Sequence, residues 1–231
     1  SDSAGARFIV DQYRPEYAII GEPSRWERVT LGYKGSAMVD VTLRQPTAHP
    51  AAQALNACEA AVEAWKAIQG WSKAFNTGRE RVFDQVSPSL RGFDSGSDGF
   101  NEWARLRVGV RLPPGMTPED WFQRLAEIAP EAERTPASFA IPAYQAEKNT
   151  PLVRAFLAGI RQVGGSPGFV VKTGTADLNI VAPAWSCPAV AYGPGDSALD
   201  HTPGEHLALE EYRRSVQVLT SVLSTLCPGD A

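Results

Sequence analysis

Cysteine is scarce in this 231-residue chain, occurring only at Cys58, Cys187 and Cys227. An odd number at wide spacing excludes a disulfide framework and a paired-cysteine metal knuckle, and implies reduced, mostly buried thiols. Reduced thiols favour a cytoplasmic setting. Histidine is as rare, at His49, His201 and His206, so a site built on imidazole has few places to be. No apolar run reaches the about 18 residues of a membrane-spanning helix. Basic residues are neither in excess nor clustered: 22 Lys and Arg against 26 Asp and Glu leave a net charge of −4. That excludes the electrostatic footprint of a nucleic-acid binder. No G-x-S-x-G is present to seat an α/β-hydrolase serine, and no Walker loop or G-x-G-x-x-G to cradle a phosphate. Internal repeats and low-complexity tracts are also absent.

What is present is an ordinary globular composition, 43% hydrophobic and 21% charged, at a length that makes one or two domains. Phe8-Ile9-Val10 reads as strand. Tyr17-Ala18-Ile19-Ile20 is a short apolar run broken by Gly21-Glu22-Pro23-Ser24, the pattern of a buried strand ending in a loop. From Val29 onward the pattern alternates, with Ala37, Val39, Val41 and Leu43 on one side of a strand. A helix is expected from about Ala51 to Trp71, with Ala54, Leu55, Cys58, Val62, Trp65 and Ile68 on its apolar face. Residues 72–100 are poorly patterned, and Ser95-Gly96-Ser97-Asp98-Gly99 reads as a flexible tip. Leu106, Val108 and Val110 alternate again, Thr117-Pro118-Glu119 opens a helix with proline in its first turn, and Ser138 to Tyr144 reads as a strand. A capped helix runs from Thr150-Pro151 to about Val163 and stops at Gly164-Gly165. Strands follow at Gly168–Lys172 and Ala189–Tyr192, then a long amphipathic helix at Leu209–Leu226. The middle therefore reads β-α-β-α-β, inserted at residues 30–145 into an α/β frame formed by residues 1–29 and 146–231.

Ligands in open α/β sheets gather at the carboxyl ends of strands, which is where Glu22 falls; the same carboxylate could also cap the following turn. His201 lies in the loop after a buried strand, beside Asp200. That position suits either a metal ligand oriented by its neighbouring carboxylate or an ordinary loop histidine at a helix entry. His49, between a strand and a helix, reads from its chemistry alone as a turn residue, and His206 as a surface one. Arg111 sits among apolar strand neighbours and needs a partner, for which a substrate carboxylate is one candidate. The stretch Lys172-Thr173-Gly174-Thr175-Ala176-Asp177-Leu178-Asn179 is dense in backbone donors and hydroxyls. It serves equally as an anion-binding loop or a plain polar connection.

Taken in order, Gly21-Glu22-Pro23-Ser24, Leu31-Gly32-Tyr33-Lys34-Gly35-Ser36, His49, Val110-Arg111-Leu112-Pro113-Pro114-Gly115, Lys172-Thr173-Gly174-Thr175-Ala176-Asp177, and Gly193-Pro194-Gly195-Asp196 leading to Asp200-His201-Thr202-Pro203-Gly204-Glu205-His206 resemble the dinuclear-zinc peptidase and deacylase family. Acetylornithine deacetylase, succinyl-diaminopimelate desuccinylase and carboxypeptidase G belong to it. The resemblance covers essentially the whole chain. It implies an incomplete zinc-peptidase α/β catalytic domain with an inserted α+β lid, ferredoxin-like in its β-α-β-β-α-β order, that forms a homodimer. It also implies two zinc (or cobalt) ions, with Glu22 and His201 as metal ligands. His49 matches the lid histidine that crosses the dimer interface to polarise the scissile carbonyl. Arg111 matches a lid arginine gripping substrate carboxylate, and Lys172, Gly174 and Thr175 a loop lining the substrate pocket. In the family the metals bring a bridging water's pKa near neutrality. A glutamate takes its proton, and the hydroxide attacks the amide carbonyl.

Within the family the motifs are most similar to the branch that releases lysine or ornithine from an amino-group carrier protein. An acetylated or succinylated amino acid is the alternative substrate, and a non-catalytic dimerisation module the alternative of another class. Family members carry a His-x-Asp motif, a bridging Asp and a Glu-Glu pair upstream of the matching region. No histidine precedes His49 here and no Glu-Glu precedes Glu22. The resemblance therefore implies a chain without its N-terminal metal-binding segment. Glu22 and His201 would serve different metals, whereas catalytic zinc takes three or more protein ligands. The expectation is that this chain alone binds no stable metal pair and hydrolyses nothing.

Overall fold

The structure, a computed structural model, describes residues 3–47 and 55–227. In chain order the elements begin with α1 (Ala4–Ile9), β1 (Ala18–Gly21), β2 (Arg28–Tyr33) and β3 (Gly35–Pro46). There follow α2 (Ala57–Asn76), β4 (Ser87–Ser97), β5 (Asn101–Leu112), α3 (Pro118–Ile128) and β6 (Glu133–Pro136). The chain closes with β7 (Tyr144–Gln145), α4 (Pro151–Gln162), β8 (Gly168–Lys172), α5 (Leu178–Trp185), β9 (Ala189–Tyr192) and α6 (Leu209–Leu226). They divide into two compact units, residues 34–143 and the residues on either side. Among the described residues no helix is long and apolar enough to cross a membrane, and none of the three cysteines forms a disulfide.

The flanking unit is a mixed sheet between helices. β1 runs parallel to β9, β9 pairs antiparallel with β2, and β2 carries β8 in parallel and β7 antiparallel. Strand alternation, interrupted in β2 by an irregularity between Thr30 and Gly32 that sends Tyr33 to the side opposite Leu31, divides its core in two. Val29, Leu31, Val190 and Tyr192 face α4 and α6 through Phe156, Ile160, Val218 and Val222. Ala18, Tyr33, Ala189 and Ala191 face α5 through Leu178 and Ala182. Each large side chain buried this way stabilises the unit by about 1.5–3 kcal/mol. α4 starts where the sequence places it, with the Thr150 hydroxyl accepting from the Val153 amide at 3.2 Å and proline in the first turn.

The inserted unit is a four-stranded antiparallel sheet, ordered β4-β5-β3-β6, with α2 and α3 on one face. Ala37, Val39, Val41 and Leu43 point into that face, as their alternation requires. Reciprocal caps open both helices: Asn56 with Glu59 on α2, and Thr117 with Asp120 on α3.

Five elements differ from the sequence reading. Phe8-Ile9-Val10 lies not in a strand but at the end of helix α1, with Phe8 73% exposed. α2 begins after Asn56, because that side chain caps it, and its buried stripe is Ala57, Ala61, Ala64 and Ile68. Leu55 and Val62, expected inside, are exposed: small alanines let the helix sit close to the sheet, and the larger residues stay outside. The poorly patterned stretch before Phe100 holds β4, whose alternation is broken by a register shift between Leu90 and Gly92. The strand expected at Ser138–Tyr144 is replaced by β6 at Glu133–Pro136, an edge strand of polar residues, and by a single bridge between Ser36 and Ile141. Ahead of the strand at Ala189, where no element is expected from the sequence, the structure has α5, with Pro183 inside it. The two units meet at 33/34 and 143/144, so that β2 and β7 stay in the frame.

Candidate active site

Glu22 is placed by the pairing of β1 with β9, whose register runs to Gly21 opposite Tyr192. The two parallel strands end side by side, and the next residues are Glu22 and Gly193. The turn after Glu22 is then tied down. The Ser24 amide donates to the Gly193 carbonyl at 2.9 Å, and the Arg25 amide to the Gly195 carbonyl at 2.8 Å. The Ser24 hydroxyl shares a 2.7 Å hydrogen bond with that of Thr30 and donates to the Glu22 carbonyl at 3.2 Å. Arg25 pairs with Asp196. Glu211, in the first turn of α6, accepts through one oxygen from the amides of Trp26 at 3.0 Å and Gly195 at 3.1 Å. Nothing in the sequence marks Glu211 for this task.

Around Glu22 stand Lys172, Asp200, Asp177 and His201. Burial raises the Glu22 pKa; Lys172 is the largest opposing influence, Asp200 and Asp177 raise it further, and His201 lowers it. The carboxylate and the imidazole foreseen as site residues thus share one charged neighbourhood. His201 is exposed and held in a left-handed conformation, φ 61°, with its amide donating to Glu205 at 3.0 Å. Burial pushes the Lys172 pKa down, against Glu22, Asp200 and Asp196, which favour its charged form. Its ammonium, expected on a substrate, donates to the Pro23 carbonyl. Tyr33 lies buried below; burial, then Glu22 and Asp200, hold its hydroxyl far above the usual phenol range, so it stays neutral.

The Gly174–Thr175 loop connects β8 to α5. Buried Asn179 shapes it by accepting from the Ala176 amide at 3.0 Å and donating to the Tyr33 carbonyl at 3.4 Å. A side chain on Gly174 would meet open space, so no protein neighbour fills the volume beside that backbone. His206 is exposed, with Nδ1 2.8 Å from the Gly204 carbonyl oxygen, as a surface residue. Arg111 stands in the inserted unit, on the open face of its sheet, opposite Ser36 and Ser87. Burial, then Arg91, lowers its pKa. His49 lies outside the described residues.

Glu22, Asp177, Asp200 and His201 supply the oxygen and nitrogen donors that zinc takes. Among the described residues, however, no three His, Cys, Asp or Glu side chains converge closely enough to hold a metal ion. The donors present do not by themselves fit a dinuclear centre.

A mixed sheet flanked by helices, interrupted by an inserted α+β unit, is the architecture that carries Glu22 and His201. Residues 1–225 match the peptidase family M20/M25/M40, and the chain belongs to that family. The [LysW]-lysine hydrolase of Deinococcus radiodurans is 40% identical to it over 98% of this chain and 64% of that protein. The [LysW]-lysine/[LysW]-ornithine hydrolase of Saccharolobus solfataricus is 24% identical over 91% of this chain and 59% of its own length. The chain thus spans about three fifths of the length of the curated relatives it matches. Among solved structures, the aminopeptidase PepT of Bacillus cereus superposes with a TM-score of 0.76 at 16% identity, covering 98% of this chain and 62% of that one. A metallo-carboxypeptidase of Sulfolobus solfataricus gives 0.71 at 14%, covering 96% and 66%. These two share the fold.

Proposed function

We propose that this chain is the larger part of a metal-dependent hydrolase that cleaves an amide to release lysine or ornithine from an amino-group carrier protein. The observation that carries the reading is the 40% identity, over nearly the whole chain, to a protein named for that reaction. In this reading Glu22 and His201 are ligands of two zinc (or cobalt) ions completed by residues from the rest of the protein. Gly174 and Thr175 line the substrate site, with Lys172 beside them, and Arg111 and His49 come from the inserted unit. That unit also makes the homodimer. Its support is the outer edge of β4, eleven residues long and, among the described residues, paired only with β5, where Leu90 is 39% and Phe93 47% exposed. Such an edge is a template for a second strand. The three unpaired cysteines suit a cytoplasmic enzyme.

The test is to offer the complete protein three amides: lysine joined to the terminal glutamate of its carrier protein, acetylornithine and succinyl-diaminopimelate. Release of lysine from the first, faster than release from the others by at least tenfold in kcat/KM, is the expected result. Preference for either small amide overturns the substrate reading. The 231 residues alone are expected to take up no zinc pair, and two tight sites in a calorimetric titration would refute that.

A further inference from the structure

Lys172 stands beside Glu22, a proposed metal ligand, and its ammonium bonds a backbone carbonyl. Lys172 ends β8, and its neighbour across the ladder is Tyr33 on β2. Its ammonium lies 5.7 Å from the centre of the Tyr33 ring, and that ring is 97% buried, with 3% exposed. From there it donates to the Pro23 carbonyl, which belongs to the peptide unit joining Pro23 to Ser24. The same peptide unit carries the Ser24 amide, bonded to Gly193 at 2.9 Å. Ser24 itself is 5% exposed, and its hydroxyl is tied to Thr30 at 2.7 Å. Two tethers therefore converge on the Pro23–Ser24 peptide, one from Lys172 at the end of β8 and one from Gly193 just past β9, while Thr30 of β2 holds the Ser24 side chain. A proline carbonyl has two lone pairs and no helix or sheet partner in this turn, so a charged donor is a strong way to hold it.

We propose that Lys172 is a positioning residue for Glu22: by gripping the Pro23 carbonyl it fixes the turn that presents the Glu22 carboxylate, and it leaves substrate contact to the Gly174–Thr175 backbone. The long stem is needed to reach over the Tyr33 ring, and the ammonium to bond at the end of it. An error of about 1 Å in a reacting group costs on the order of a hundredfold in rate, which is what the clamp prevents.

The experiment is Lys172→Met, which keeps the stem and removes the donor, read in two ways. In the 231-residue chain, amide hydrogen exchange is expected to speed up at least tenfold at Ser24 and Arg25, with α4 and α6 protected as before. In the complete enzyme, kcat is expected to fall at least tenfold with KM within threefold. Unchanged exchange at Ser24 and Arg25, or a KM raised tenfold with kcat intact, overturns the proposal, the latter because it marks a substrate contact. Lys172→Gln, which retains a donor on a shorter stem, is put through the same two measurements and decides the matter if the methionine variant does not fold. The kinetic arm rests on Glu22 serving the hydrolysis proposed above. Full activity of Glu22→Gln would sink that reading, while the exchange arm would still judge the clamp.

Discussion

Gly193 and Glu22 are packed backbone to backbone: a β-carbon on Gly193 would stand 2.9 Å from the Glu22 carbonyl oxygen. The glycine is there for closeness. Gly193→Ala must push the ends of β1 and β9 apart, and overpacking of this kind costs about 1–3 kcal/mol. A lower urea midpoint in this chain, and at least a tenfold loss of kcat/KM in the hydrolase proposed above, are the expected outcomes. A variant with wild-type values in both would show that the two strand ends can separate without consequence.

Glu211 holds two loops at once through the amides of Trp26 and Gly195. Glu211→Ala leaves both donors without their acceptor and is expected to destabilise the chain by about 2 kcal/mol. Glu211→Gln retains one carbonyl oxygen and should lose less. Equilibrium unfolding of the two variants side by side measures the difference, and the order of their midpoints is the prediction.

Lys34 is wholly buried in the inserted unit, donating to the Val82 carbonyl at 3.0 Å and the Ser87 hydroxyl at 3.1 Å, and to the Gln85 carbonyl. Burial, then Arg111, brings its pKa down to about 8, against Asp84. In the unfolded chain a lysine titrates near about 10.4. Below about pH 8 the folded state bears the full cost of the buried charge, and between the two values only the unfolded chain keeps the proton. Stability therefore rises with pH across that window. Urea unfolding at several pH values through the window should show this rise in the wild type and a flat response in Lys34→Met. A wild-type midpoint that falls steadily with pH would contradict it.

The outer edge of β4 makes the dimer testable. Phe93→Lys places a charge on that edge and is expected to shift the protein to monomer in sedimentation, with its circular dichroism unchanged. A wild type that is monomeric at every concentration tried would remove the proposed role of the inserted unit in dimerisation.

The parts of the site that the sequence made visible are those tied to buried strands. β9, buried along its whole length, and β1, only partly so, both read as apolar runs, and each run stops at a Gly/Pro turn, so Glu22 and the loop leading to His201 could be placed at strand ends. α4 and α6 were legible through Thr150 and through a sustained amphipathic pattern. What stayed hidden has physical reasons. β4 is an edge strand with a register shift at Leu90–Gly92, so its period is broken. The stripe of α2 is made of alanine, which carries little hydrophobic signal beside Leu55 and Val62. The apolar triplet Phe8-Ile9-Val10 was too short to separate strand from helix. The direction in which Lys172 points, and the reach of Glu211 to two distant amides, depend on where other segments come to rest, and no local pattern encodes that.

Tyr33 and Tyr144 are partners in one short ladder, and the whole of residues 34–143 is spliced in between them. The frame thus experiences a folded unit as though it were a hairpin loop, since the two cut ends are already side by side and closing a longer loop adds little entropy. A junction of this kind allows the insert to be exchanged, enlarged or re-tailored without redrawing the sheet that carries Glu22.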